Sequence, residues 1–518
     1  MARRENGFGV SRRISAGLLA LLFSAGTAYA TPPDAATSIE SETEGETKRE
    51  TETETEDVEL QERLTEREDK RRPLDPVTLD LWGRPLIVGG EVELETGLLW
   101  PQVSGDASRR GDRAFLELGL EAEAFYSFGE PLSLFAQVRL AMEEDLRTGD
   151  YTQISDRYLE RGEMWLYSEN ILGSGIDLDL GRLDFEDDRR WWWDDELDAV
   201  RIAYEAGRFD IALAYARELA PRRSDREFID PEQDRVHRVI AEASWDWAPN
   251  HSLQLFALRQ RDRSRTESIE QTLSHEREDE SDARLTWLGA RAIGVIDARS
   301  GGLVGYWLDW ARVRGDEHLV EYEAVTSLQS EVVGIAQRTV RGDAFDLGIN
   351  WLLPFAHEPR LFGGVAFGSG DAAVDEDAAD DGVDHAFQQT SLHANEAGFG
   401  GVQRYPHYGV LLDPELSNLR VQTLGAGFTL LRASSLDVVF HRYRLEHPAN
   451  ELRDARVDLE LDGTHRDLGS AVDVVLALEE WERFEFFGVL SGFRAGRAVI
   501  GADRAWSYGA FLAMRIAF

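Results

Sequence analysis

The chain has 518 residues, with 97 acidic against 56 basic side chains and a formal charge of −41. That surplus excludes a nucleic-acid partner, which needs basic patches. Cysteine is absent, which excludes a disulfide framework and a thiolate metal site.

Residues 1–30 read as a secretory signal. Arg3, Arg4, Arg12 and Arg13 precede a short apolar run, Ile14 to Phe23, and Ala28-Tyr29-Ala30 supplies an A-x-A end. The run is too short to span a bilayer, and nothing else approaches about 18 uninterrupted apolar residues. The expected mature chain begins near Thr31 with a charge near −44, because the segment removed carries four Arg and one Glu (−41 − 3). Residues 31–75 are expected to form a disordered acidic tail. Runs such as Glu50-Thr51-Glu52-Thr53-Glu54-Thr55-Glu56 have almost nothing to bury, although Leu60 to Arg72 could form a short charged helix.

From residue 76 to 518 the pattern has period two. Leu116, Leu118 and Leu120 alternate with Glu117, Gly119 and Glu121. Leu132, Leu134, Ala136, Val138, Leu140 and Met142 alternate with Ser133, Gln137, Arg139 and Glu143. Phe209, Ile211, Leu213 and Tyr215 continue the theme, as do Phe345, Leu347, Ile349 and Trp351. Ser127 to Pro131 reads as a tight turn. Gln260 to Arg284, Gly315 to Arg341, Gly368 to Asn418 and Glu446 to Arg466 read as long charged loops. Short turns at one end and long loops at the other predict a single transmembrane antiparallel β-barrel of about 18 strands. A total of 14 Trp suits the two membrane boundaries. The last segment, Trp506 to Phe518, presents Trp506, Tyr508, Ala510, Leu512, Met514, Ile516 and Phe518 on one face, as a closing strand against lipid would. A strand ending on Phe resembles the assembly signal of Gram-negative outer-membrane barrels.

Ordered segments carry a further resemblance: Leu180-Gly181-Arg182 with Trp191-Trp192-Trp193-Asp194-Asp195, Asp234-Arg235-Val236-His237, Trp247-Ala248-Pro249-Asn250-His251, Phe387-Gln388-Gln389-Thr390, and Pro414-Glu415-Leu416-Ser417-Asn418. In this order the chain resembles the alginate export family of outer-membrane proteins over roughly residues 85–518. The resemblance implies a barrel that passes an anionic exopolysaccharide outward by diffusion, with no cofactor and no turnover. Its expected partners are an anionic or neutral polysaccharide, outer-membrane lipids and periplasmic export-complex proteins, and a monomer is expected. It also implies a constriction lined by arginines flanked by a few acids. Here the chain departs: arginine positions fall on Glu121, Asp184 and Glu396, and others fall beside Arg404, at Tyr405, and beside Arg161, at Gly162. Carboxylate positions match at Asp194 and Asp225. Alternation, independently of the resemblance, turns Arg139 toward the lumen. The candidate substrate path is therefore Arg139, Arg161, Arg182, Trp192, Asp194, Asp225 and Arg404.

Trp191-Trp192-Trp193 admits two readings, sugar stacking at a constriction or an interfacial anchor. Seven acids between Asp371 and Asp384 could hold calcium, but a solvated acidic loop is the simpler reading because the spacing matches no EF-hand. No H-E-x-x-H or G-x-S-x-G pattern is present. The rival functions are a general or sugar-specific uptake porin, and beyond it a barrel enzyme or an adhesin.

Overall fold

The computed structural model describes residues 76–100, 112–129, 131–147, 154–264, 267–326, 328–371, 382–457, 459–501 and 506–518. The expected signal, the acidic tail and most of the acidic loop after Asp371 lie outside these residues.

Alternation turns into strands that run from one rim to the other. The first quarter of the wall is β1 (Arg84–Trp100), β2 (Arg113–Gly129), β3 (Leu132–Arg147), β4 (Ser155–Ser168) and β5 (Ile176–Glu186). It continues through β6 (Asp194–Ala206), β7 (Phe209–Ala216), β8 (Val236–Ala248), β9 (His251–Asp262) and β10 (Ser281–Asp297). Then come β11 (Leu303–Thr326), β12 (Gln329–Leu352), β13 (Arg360–Gly368) and β14 (Leu419–Thr429). The wall ends with β15 (Ser434–Leu445), β16 (Asp467–Trp481), β17 (Phe484–Ala495) and β18 (Trp506–Ala517). Each pairs antiparallel with its neighbour, and β18 pairs with β1 from Glu91↔Ala517 to Trp100↔Tyr508, which closes an 18-strand barrel. Two backbone hydrogen bonds between Gly90 and Phe518, 2.9 and 3.0 Å, finish the seam. A Cβ on Gly90 would stand 2.2 Å from the Glu121 carbonyl oxygen, so only glycine lets the strands meet there.

The outer face is apolar. Leu120, Val138, Leu140, Ile202, Ile211, Leu255, Leu308, Ile349, Leu424 and Leu490 are all exposed on it. Closure joins the last strand to the first, which suits a band where lipid offers no hydrogen bond. Exposed aromatics flank it. Phe209 stacks on Trp245 at 5.7 Å beside Trp247 and Trp351 near the short-turn rim, and Trp506 stacks on Tyr508 at 6.1 Å toward the other. Rings with an apolar body and a polar tip suit those two boundaries.

Two expectations about loops are corrected. Gly315 to Arg341 is not a loop. It is the outer part of β11 and β12, each 24 residues long, paired to Thr326↔Gln329 beyond the lipid-facing band. Alternation fails there because a hairpin standing in water can carry charges on both faces. Part of Gln260 to Arg284 is also ordered, with Thr272–Ser274 pairing on the β12 tip.

The seam makes one prediction. Phe518→Asp puts a charge at the lipid edge of the last paired residue. It should reduce the yield of heat-modifiable folded protein, read as the fast-migrating band in unboiled gels. An unchanged yield would show that the β1–β18 closure does not depend on this side chain.

Candidate functional site

A barrel of this girth cannot fill its lumen with its own side chains. Among the described residues, three connections fold inward. The β5–β6 hairpin is the first. β4 pairs with β5 only from Met164↔Arg182 to Ser168↔Leu178. Beyond that, the backbone of β4 at Leu159 to Arg161 bonds instead to residues 222–224, through Arg161 N–H to the Arg222 carbonyl at 3.0 Å and Ser224 N–H to the Leu159 carbonyl at 2.8 Å. The segment after β7 therefore completes the wall, and the hairpin tip leans into the lumen.

Asp187 organises the tip. Its carboxylate accepts the N–H groups of Arg189, Trp192 and Trp193 at 3.1, 2.7 and 3.0 Å. Burial alone raises this carboxyl, but the Arg291 charge and those backbone donors outweigh it and hold it below the usual carboxylate range. Arg291 bridges Asp187 at 2.5 Å and Asp309 at 2.6 Å. Arg189 lies 3.6 Å from Asp309 and 3.3 Å from Asp346, with its guanidinium 4.4 Å over the Trp307 ring.

The segment between β13 and β14 is the second insertion. Tyr408 accepts from the Trp191 indole at 2.8 Å and donates to Asp346 at 3.1 Å. His407 approaches Asp346 at 3.4 Å. Phe399 stacks on Phe362 of the wall at 4.7 Å, and Trp191 stacks on Phe387 at 6.4 Å. The segment between β15 and β16 follows, with Arg453 and Arg456 pairing to Glu415 at 2.8 Å and Asp413 at 2.7 Å. Together these pieces make a plug anchored on β9 to β17.

The expected path residues divide into groups. Asp194 and Arg404 are brought together at the base of the tip: Arg190 meets Glu186 at 3.2 Å and Asp194 at 3.4 Å and also pairs with Glu396, while Arg404 meets Glu186 at 2.5 Å. Arg161 and Arg182 lie elsewhere, in a seam between the leaning hairpin and the replacement wall. Arg161 bonds Asp198 at 3.1 Å and Glu218 at 3.4 Å, and Arg182, buried, bonds Glu196 at 3.3 Å and Glu218 at 3.2 Å. Asp225 is exposed and held by Arg223 at 2.9 Å. Trp192 is 1% exposed, stacked on Phe256 at 4.9 Å. The Trp triplet is thus the core of the plug, neither at a lipid boundary nor open to a sugar.

Arg139 faces the lumen, where it bridges Glu93 and Glu117, each at 2.7 Å. Around it the wall of β1 to β4 is acidic. Glu91, Glu117, Glu121, Glu123, Glu143 and Glu160 are half-buried on lumen-facing positions. Glu121 accepts from the Gln137 amide at 2.5 Å. Of the positions where the family resemblance implies arginine, Glu121 lies on this wall and Glu396 inside the plug. Sequence reasoning missed Arg189, Arg190, Arg291 and Glu218. Arg189-Arg190 directly precede the Trp triplet, which was the signal available, but their acceptors come from distant segments.

The family model described as "Alginate export" matches residues 105–506. Two proteins named "Alginate production protein AlgE" are similar. That of Pseudomonas aeruginosa is 25% identical over 332 residues, covering 62% of this chain and 63% of its own. That of Pseudomonas syringae pv. tomato is 22% identical over 350 residues, covering 64% and 66%. The chain therefore matches somewhat less than two thirds of the length of these relatives. The crystal structure of Acinetobacter baumannii OccAB2 superposes with a TM-score of 0.50 at 10% identity, over 83% of this chain and 98% of that one, which shows a shared fold.

Two predictions concern the plug. Arg189→Ala removes one buried cationic partner from Asp309, which keeps Arg291, and from Asp346, which keeps Trp307, Tyr408 and His407, and should cost plug docking about 1.5–3 kcal/mol. Limited proteolysis of the folded barrel should then cut within residues 385–418 where the parent chain resists, and equal resistance would refute the role assigned to Arg189. The second concerns acid. Burial pulls His407 from its ordinary 6.5 down to about 4, against the opposing pull of Asp346. A depressed histidine stabilises the docked state above its free pKa. That contribution should fall as pH drops through 6.5 toward 4, by about 3 kcal/mol at the low end. His407→Gln should flatten the dependence, measured as plug proteolysis against pH.

Proposed function

The chain belongs to the alginate export family, and from that premise we propose that this outer-membrane barrel is a passive channel exporting a secreted polysaccharide, alginate or a related glycan. The family match over most of the barrel carries this reading. The inward-folded segments support it, since a wide ring narrowed by its own connections admits an extended polymer and resists a free aqueous leak. The channel does no covalent chemistry: its residues orient, screen and release a chain that moves down its own gradient.

The substrate path we propose runs along Arg139 and the acidic β1–β4 wall, and the buried pairs Glu186–Arg404 and Asp194–Arg190 fix the hairpin tip beside it. Arg161, Arg182, Trp192 and Asp225 act on it indirectly, by setting the hairpin and the wall segment that frame it. A row of lumen carboxylates repels a polyuronate at short range. That observation favours a second reading, a glycan of lower charge density or an uptake porin. We further propose that residues 1–30 are the export signal and that residues 31–75 are a solvated spacer whose removal leaves barrel assembly intact.

Single-channel recording in planar bilayers tests these readings. The acidic wall should give cation selectivity, and Glu121→Arg should shift the reversal potential toward anions, because a pore-lining charge acts with little screening. Block of the parent channel by polymannuronate would establish the polyuronate as cargo. Permeation by a neutral glycan without such block would establish the second reading.

A further inference from the structure

Against a chain of formal charge −41, one groove on the outside of the barrel is basic. It has a volume of about 960 Å³. Arg442, Arg444, Arg466, Arg494 and Arg497 line it, and Asp467 is the only acid among its lining residues, a balance of five minus one, or +4. Among the described residues only Arg442 is ion-paired, to Asp467 at 2.6 Å, and both partners stay partly exposed. The other four arginines present their guanidinium groups unmatched.

The groove faces away from the lumen. Arg442 and Arg444 share the alternation of exposed Val438 and Phe440, while His441 and Tyr443 between them are buried inside. Arg494 shares that of exposed Leu490 on β17. Registers Arg442↔Ser470 and Ser470↔Arg494 set Arg442 and Arg494 on either side of one serine. Two strand spacings separate their backbones, about 10 Å. Their height is also defined. Phe440 is the last apolar residue below Arg442, about 7 Å along the strand. Trp506, which pairs with Arg494, marks the aromatic boundary at the same level. The arginines therefore stand where lipid tails give way to headgroups, at the rim that carries the long loops.

We propose that this groove binds the phosphate groups of a phosphorylated glycolipid in the outer leaflet. Guanidinium groups grip phosphate oxygens bidentately, and a compact array of them on a lipid-facing wall suits a lipid-borne phosphate better than a polymer inside the lumen. The proposal stands independently of what the channel carries.

The test uses the full chain folded in nanodiscs, with phosphorylated lipid A as the probe. Retention should occur at about ten-fold lower concentration than for dephosphorylated lipid A. The double substitution Arg444→Gln with Arg494→Gln should lower retention about five-fold or more, with the heat-modifiable band unchanged. Inorganic phosphate at equal concentration should not displace the lipid. Equal retention of the two lipid A forms by the parent chain would overturn the proposal without any variant. So would displacement by free phosphate, which would mark a small-anion site, or by polymannuronate, which would assign the groove to an exported polymer.

Discussion

In hydrocarbon an unpaired backbone amide has no water to turn to, and this constraint dictates the architecture. A sheet facing lipid must close on itself. The ladder from Glu91↔Ala517 to Trp100↔Tyr508 is what closes it, and the paired outer surface of apolar side chains follows from the same requirement. Closure also explains why one face of each strand can be as polar as it is. Only alternate residues meet lipid, so Glu117, Glu121 and Arg139 sit on the same strands as Leu120 and Leu140.

Closing so many strands creates a second problem, a lumen too wide to pack. The chain answers it with polar burial. Asp187, Arg189, Arg291, Asp309 and Asp346 alternate in sign through the plug, and aromatic rings seal them from water: Trp192 on Phe256, Phe399 on Phe362, Arg189 over Trp307. A buried ion pair adds little net stability over an apolar filling, but breaking one is expensive. Such a network therefore specifies one docked arrangement more than it strengthens the barrel. The hairpin that enters the lumen also leaves a gap in the wall, and residues 222–224 repair it by taking the β4 backbone bonds that β5 gives up.

The electrostatic character of the interior follows from these two layers. Its arginines are drawn into the plug and the seam, where Glu218, Glu396, Asp309 and Asp346 neutralise them. The wall left facing open space, β1 to β4, is rich in carboxylates around the bridges of Arg139. Glu121 thus adds negative charge to the half-buried lumen wall, whereas Glu396 is neutralised by Arg190 inside the plug.

Strand number, the lipid-facing residues and the rim with long connections were all legible in the sequence, because a period of two is a local property imposed by the pleat and by lipid on one side. Arg139 was legible for the same reason. Where a strand leaves the lipid the period loses its cause, which is why the long β11–β12 hairpin read as a loop. The plug was not legible at all. Arg189 finds Asp346 across 157 positions, and Arg190 finds Glu396 across 206. Nothing periodic marks either pair. The amino-acid sequence alone determined a closed barrel and which side of each strand is wet. Which connections fold into the lumen, and so which charges remain free to meet a substrate, was decided only in three dimensions, because ion pairing depends on distances that alternation along a strand does not encode.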